Sequence, residues 1–168
     1  GLRWDGLTFR AAEGRYFAGT LTLTDAELPG LAAWGALWLA LQGSSTFTEE
    51  IAGTGMLIAG PGSLTAKRLS IWGWGGVRAP LLTVTDGAEV TLTGEEGVAM
   101  GSNAGEAGLL LVDGGSLTCT DGLWIQNGTL MVRAGALAVG GTCAVERGRV
   151  EITGGTVTLP QGLWLGEG

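Results

Sequence analysis

From Gly108 onward the chain repeats itself every 20 residues, and that period restricts its fold more than any other feature of the sequence. Three blocks of equal length follow one another: GLLLVDGGSLTCTDGLWIQN from Gly108, GTLMVRAGALAVGGTCAVER from Gly128 and GRVEITGGTVTLPQGLWLGE from Gly148. Each has glycine in its first and eighth positions and three short runs in which apolar residues alternate at a spacing of two. That spacing marks strands, and glycine between them supplies the backbone angles that tight corners need.

Two earlier stretches, 55–79 and 80–107, fit the same template with insertions and single-residue shifts. Aligned over 55–79, 80–107, 108–127, 128–147 and 148–167, the five blocks give six apolar columns. The first strand contributes Leu57, Leu82, Leu110, Leu130 and Val150, then Ala59, Val84, Val112, Val132 and Ile152. The second contributes Leu64, Val90, Leu117, Leu137 and Val157, then Ala66, Leu92, Cys119, Val139 and Leu159. The third contributes Leu69, Val98, Leu123, Cys143 and Leu163, then Ile71, Met100, Ile125, Val145 and Leu165. The expected fold is all-β: a single-stranded parallel β-helix, or β-solenoid, with three short strands per coil of ~20 residues and about six or seven coils stacked around a dry core. An antiparallel sandwich does not explain why like residues return every 20 positions.

Residues 1–54 are expected to form irregular N-terminal coils or a cap. Gly19–Thr24, Ala36–Leu41 and Thr46–Thr48 read as the three strands of one enlarged coil, and the insertion at 25–34 as a short helix. Residues 1–18, with Trp4, Leu7, Phe9, Tyr16 and Phe17, read as a further coil or an aromatic plug. At the other end the last coil stops at Glu167 without a polar or helical cap, so a cover over it is expected.

Composition narrows the function. The 168 residues include 33 glycines, only 4 prolines and no histidine, which rules out histidine-dependent triads and zinc sites. A net charge of −7 opposes nucleic acid and acidic membrane surfaces as partners. The longest apolar run, Leu31–Leu41, is too short to span a membrane. The start of the sequence lacks a signal-peptide pattern, so the chain is either cytosolic or already relieved of its targeting segment. Cys119 and Cys143 sit in inward columns and have no metal-ligand spacing; they read as small apolar fillers, the alternative being a bridge through the narrow core that would need strained geometry.

The segment Ile51-Ala-Gly-Thr-Gly-Met-Leu-Ile-Ala-Gly-Pro-Gly-Ser-Leu-Thr-Ala66 resembles the passenger-associated repeat of autotransporter-type bacterial surface adhesins, which reads roughly I-x-G-x-G-x-L-x-x-x-G-x-G-x-L-x-L. Gly53, Gly55, Leu57, Gly62 and Leu64 match it, while Ala66 stands where the pattern has leucine. The resemblance implies a parallel β-helix at the cell surface or outside the cell, acting as an adhesin, a self-associating factor or a stalk. The membrane-translocating barrel that normally follows a passenger is not part of the sequence.

Function is then expected on the outward positions. The first strand's outer column reads Ile58, Thr83, Leu111, Met131 and Glu151, of which Ile58, Leu111 and Met131 mark an interface. The third strand's reads Ser70, Ala99, Trp124, Ala144 and Trp164, with Trp72 or Trp74 near the same edge. Outward tryptophans suit a protein partner, and Trp124 and Trp164 also suit stacking on a glycan. Along the second strand run Ser63, Thr65, Lys67, Glu89, Thr91, Thr93, Ser116, Thr118, Thr120, Thr156 and Thr158. Such an array can match ordered water or a sugar lattice, as a resemblance to ice-binding solenoids would imply. Its break at Ala136, Ala138 and Gly140 favours the plainer reading of threonine as a good exposed strand residue.

Catalytic candidates are thin. Asp86, Glu89, Glu95, Glu96, Asp113 and Asp121 fall mostly at corners, and Arg78, Arg133, Arg147 and Arg149 meet them at no recurring position. The reading is a non-catalytic extracellular structural or adhesive protein, without cofactor or metal, that forms a homo-oligomer or polymer end to end or side by side. A carbohydrate-binding module is the alternative, and a polysaccharide-degrading enzyme the third.

Overall fold

The computed structural model describes residues 2–4, 9–11, 19–73, 79–102 and 105–166. Among them are seventeen β-strands and no helix. A short antiparallel pair, β1 (Leu2–Trp4) with β2 (Phe9–Ala11), stands apart from a sheet of fifteen strands in which every pairing is parallel. That sheet comprises β3 (Gly19–Leu23), β4 (Glu27–Leu28), β5 (Leu31–Leu41), β6 (Ser44–Phe47), β7 (Glu50–Ala59), β8 (Ser63–Ala66), β9 (Arg68–Gly73), β10 (Leu81–Thr85) and β11 (Glu89–Leu92). It continues through β12 (Glu96–Ser102), β13 (Gly108–Cys119), β14 (Gly122–Val139), β15 (Cys143–Ile152), β16 (Thr156–Thr158) and β17 (Leu163–Leu165).

The hydrogen-bond path closes on itself. Going round, β7, β10, β13, β14, β12 and β9 pair in turn and β9 returns to β7, which makes a closed barrel of six parallel strands with the remaining strands outside it. This overturns the expected open β-helix, or β-solenoid, of three short strands per coil. The physical reason lies in strand length. β14 does not stop at its corner: it pairs with β12 through Leu123–Ile125 and with β13 through Gly128–Val139. β7 likewise pairs with β9 through Ile51–Gly53 and with β10 through Gly55–Ala59, so one strand serves two faces and the ladder is carried around.

Glycine makes the uninterrupted corners possible. Gly128 and Gly148, paired in register with Gly108 and Gly128, have φ of 151° and 152°, which side-chain-bearing residues rarely adopt. A Cβ at either would run into the carbonyl oxygen of the glycine it pairs with.

Inside, residues of like type stack. Leu110, Leu130 and Val150 are partners, as are Leu117, Leu137 and Val157, and Ile125, Val145 and Leu165. Leu64, Leu69, Leu82, Val84, Leu110, Leu117 and Ile125 are fully buried in one continuous core. Burial falls away in the final block, where Ile152 is 54% and Leu165 54% exposed although their partners Val132 and Val145 are 0% and 1%.

The N-terminal reading is also corrected. β3 pairs with Leu37–Leu41 of β5, so Gly19–Thr24 and Ala36–Leu41 are neighbours on one face rather than successive strands of one enlarged coil. The insertion at 25–34 holds β4 and the start of β5, not a helix. Leu7, Tyr16 and Phe17 lie outside the described residues, and so does Trp74.

Candidate interaction surfaces

Strand pairing fixes which side chains share an outer column. On the first face the partners run Thr20, Trp38, Leu57, Thr83, Leu111, Met131 and Glu151. Leu111 and Met131 are half-buried on the outside, where they were expected. Ile58 is not: it is fully buried, and Leu57 takes the outer position. The run Met56-Leu57-Ile58-Ala59 is apolar throughout, so alternation cannot say which way it faces. The structure pairs Leu82 with Met56 and Val84 with Ile58, one residue away from the sequence alignment.

The same face carries side chains that the repeat did not flag. Trp38 is 45% exposed and Leu81 41%, and Leu109 lies beside Leu81 as its partner. The signal for Trp38 was present in Ala36-Leu-Trp-Leu-Ala-Leu41, where alternation sets Trp38 opposite Leu37, Leu39 and Leu41. Trp38, Leu57 and Leu81 line a shallow groove of about 550 Å³. Between Thr20 and Glu151 the column bears no charge.

The third face is more enclosed than expected. Its outer column runs Ala32, Ala52, Ser70, Ala99, Trp124, Ala144 and Trp164. Trp72 crosses above Gly101, its partner, to meet Trp124 with ring centroids 6.0 Å apart and planes tilted by 55°. A Cβ at Gly101 would lie 2.6 Å from the Trp72 ring, so the glycine leaves room for it. Trp72 and Trp124 are therefore half-buried, Ala99 within the column is buried, and Trp164 alone of the three tryptophans is well exposed. Trp124 also borders a groove of about 310 Å³ together with Glu95, Glu96, Asp121 and Thr142.

A polar ladder missed by the sequence reading lies along the edge of that face. Arg68 Nε donates to Ser70 Oγ at 2.9 Å, and Ser70 Oγ donates to Glu50 Oε2 at 3.0 Å. The guanidinium also lies 3.8 Å from Glu50 and 3.4 Å from Glu96. Ser70 is 4% exposed, so its hydroxyl needs these partners. With Ala32, Ala33, Ala52, Gly53 and Trp72, Glu50, Arg68 and Ser70 line a pocket of about 190 Å³.

The other charged candidates are dispersed. Arg133 lies 4.0 Å from Asp113, and Arg149 pairs with Glu151 at 2.8 Å. Asp86 occupies a turn with φ of 53°. Among the described residues no group of three His, Cys, Asp or Glu side chains is placed to hold a metal ion. Cys119 and Cys143 are buried free thiols. Burial pushes Cys119 up to about 12, with the nearby Cys143 adding to the shift, and pushes Cys143 up to about 11.

The second face is the most regular. One outer column runs Ser44, Ser63, Glu89, Ser116, Ala136 and Thr156, and the other Thr46, Thr65, Thr91, Thr118, Ala138 and Thr158. No protein-family model matches the chain, and neither a curated protein nor a solved structure is found similar to it.

Proposed function

We propose that this chain is a non-catalytic structural or adhesive protein of the cell exterior that associates with copies of itself through the first face. The observation that carries the reading is the uncharged outer stripe of Trp38, Leu57, Thr83, Leu111 and Met131, apolar but for Thr83 and flanked by Leu81 and Leu109. A contiguous apolar surface on a rigid sheet is stabilised by burial against a second such surface, at about 25 cal/mol per Å² removed from water. Two copies facing each other bury this stripe as two sheets bury their inner faces in a sandwich. A net charge of −7 works against close approach, and the stripe is where that repulsion is weakest. The resemblance of Ile51–Ala66 to a passenger repeat agrees with a surface location.

Sedimentation velocity over a range of concentrations tests this. The parent protein is expected to form dimers or larger species, and Leu111→Lys with Met131→Lys to remain monomeric. A parent that stays monomeric throughout would overturn the reading.

A second reading rests on the groove beside Trp124. Its indole can stack on a sugar ring while Glu95, Glu96 and Asp121 accept hydrogen bonds from sugar hydroxyls. Glycan binding that disappears on Trp124→Ala would support it.

A further inference from the structure

We infer that the outer surface of the second face binds frozen water. The two columns of this face stand in exact register through β6, β8, β11, β13, β14 and β16. Parallel pairing spaces neighbours about 4.8 Å apart along each column, and alternate residues of a strand lie about 6.6 Å apart across the two. The result is a two-dimensional grid of side chains that are short at every position but Glu89, most of them hydroxyl-bearing.

What the structure adds to the sequence is the state of those hydroxyls. Thr93 and Thr120, just beyond the grid, donate to the backbone carbonyls of Ala66 and Leu92. Thr85 donates to that of Asp113. In contrast, the hydroxyls of Ser63, Thr65, Thr91, Ser116, Thr118, Thr156 and Thr158 make no hydrogen bond within the described protein. Each hydroxyl keeps one donor and two acceptor positions that no group of the described protein uses.

Threonine is stiff at χ1, so its methyl and hydroxyl hold fixed places on the grid. Liquid water gains little from such regularity, because its molecules rearrange around any polar group. A crystal of water presents oxygens at fixed repeats, and a preorganised grid meets it without losing side-chain freedom. Charge would favour liquid hydration, and Glu89 is the only charged residue between Ser44 and Thr158 in the two columns. Neither column contains an aromatic residue on which a sugar ring could stack, which favours water over a polysaccharide surface.

The experiment is osmometry with microscopy of single ice crystals in the presence of the purified full chain. The parent is expected to shape the crystals and to hold freezing below melting. Thr91→Lys is expected to lose the effect, and Leu111→Lys, on the first face, to keep it whatever its state of association. Ala136→Thr with Ala138→Thr fills the gap in the grid and is expected to widen the interval between freezing and melting. An inactive parent overturns the inference, as does one that binds crystalline cellulose or chitin instead, and so does a Thr91→Lys variant as active as the parent. If Thr91→Lys does not fold, the filled-gap variant decides: a wider interval supports the inference and an unchanged one overturns it.

Discussion

The two cysteines show how much a single position owes to its surroundings. Both thiols lie in the apolar interior, where the charged thiolate is disfavoured. Their folded values, about 12 and about 11, stand above the ordinary 9.0, so the neutral thiols favour the folded state below pH 9. That contribution is lost as pH rises from 9 toward 12, because the unfolded chain ionises first. Denaturant titration is expected to give a midpoint that falls over this range in the parent and falls less in Cys119→Ala, measured from that variant's own neutral-pH value. A thiol reagent at neutral pH should label neither residue until the protein unfolds. Gly148 is a second sensitive position. With φ of 152° and the Gly128 carbonyl against it, Gly148→Ala is expected to destabilise by more than the ~1 kcal/mol usual for a glycine replacement of opposite sign, read from chemical denaturation.

At the scale of the element, alternation along one strand separates stability from interaction. Leu130 is 1% exposed and Met131, its neighbour, faces outward. Leu130→Ala is expected to cost about 2–5 kcal/mol, whereas Met131→Ala should cost well under 1 kcal/mol in the monomer. Equal effects in denaturation would contradict the assigned facing of β14. The Arg68 ladder belongs to the same scale. Its carboxylates are about half exposed, so the ion pairs themselves contribute little, while the buried Ser70 hydroxyl links them. Ser70→Ala is expected to cost about 0.5–1.5 kcal/mol, measured by the same titration.

The molecule as a whole joins three outer faces of different chemistry to one interior. Association through the first face would make stability depend on concentration, since anything that binds only the folded state stabilises it. Thermal unfolding of the parent is therefore expected to shift upward as protein concentration rises, and Leu111→Lys to remove that dependence. The third face, with Trp72 and Trp124 packed on one another, offers less free surface than a row of outward tryptophans implies.

How far the sequence reached varies along the chain. In the blocks beginning at Gly108 and Gly128 the alternation is clean and the residues assigned to the interior are buried, whereas in the block from Gly148 Ile152, Leu163 and Leu165 pair in register with buried residues yet are themselves exposed. Around Met56–Ala59 four apolar residues in succession erase the alternation, so the pattern cannot tell the buried Ile58 from an outward residue. The Trp38 position was legible locally but lost its meaning when Gly19–Thr24 and Ala36–Leu41 were assigned to one coil.

By itself the sequence determined that parallel strands recur every 20 residues with glycine at their corners, because period and side-chain alternation are properties of the chain alone. Only the tertiary structure decided whether those strands end at their corners. Continuous hydrogen bonding around Gly128 and Gly148 depends on the carbonyls of neighbouring strands approaching where a side chain would stand, a contact that no local pattern encodes. At Gly128, inside β14, that contact carries the ladder from β12 round to β13 and so belongs to the closed barrel, and with it sets which residues each face presents to its surroundings.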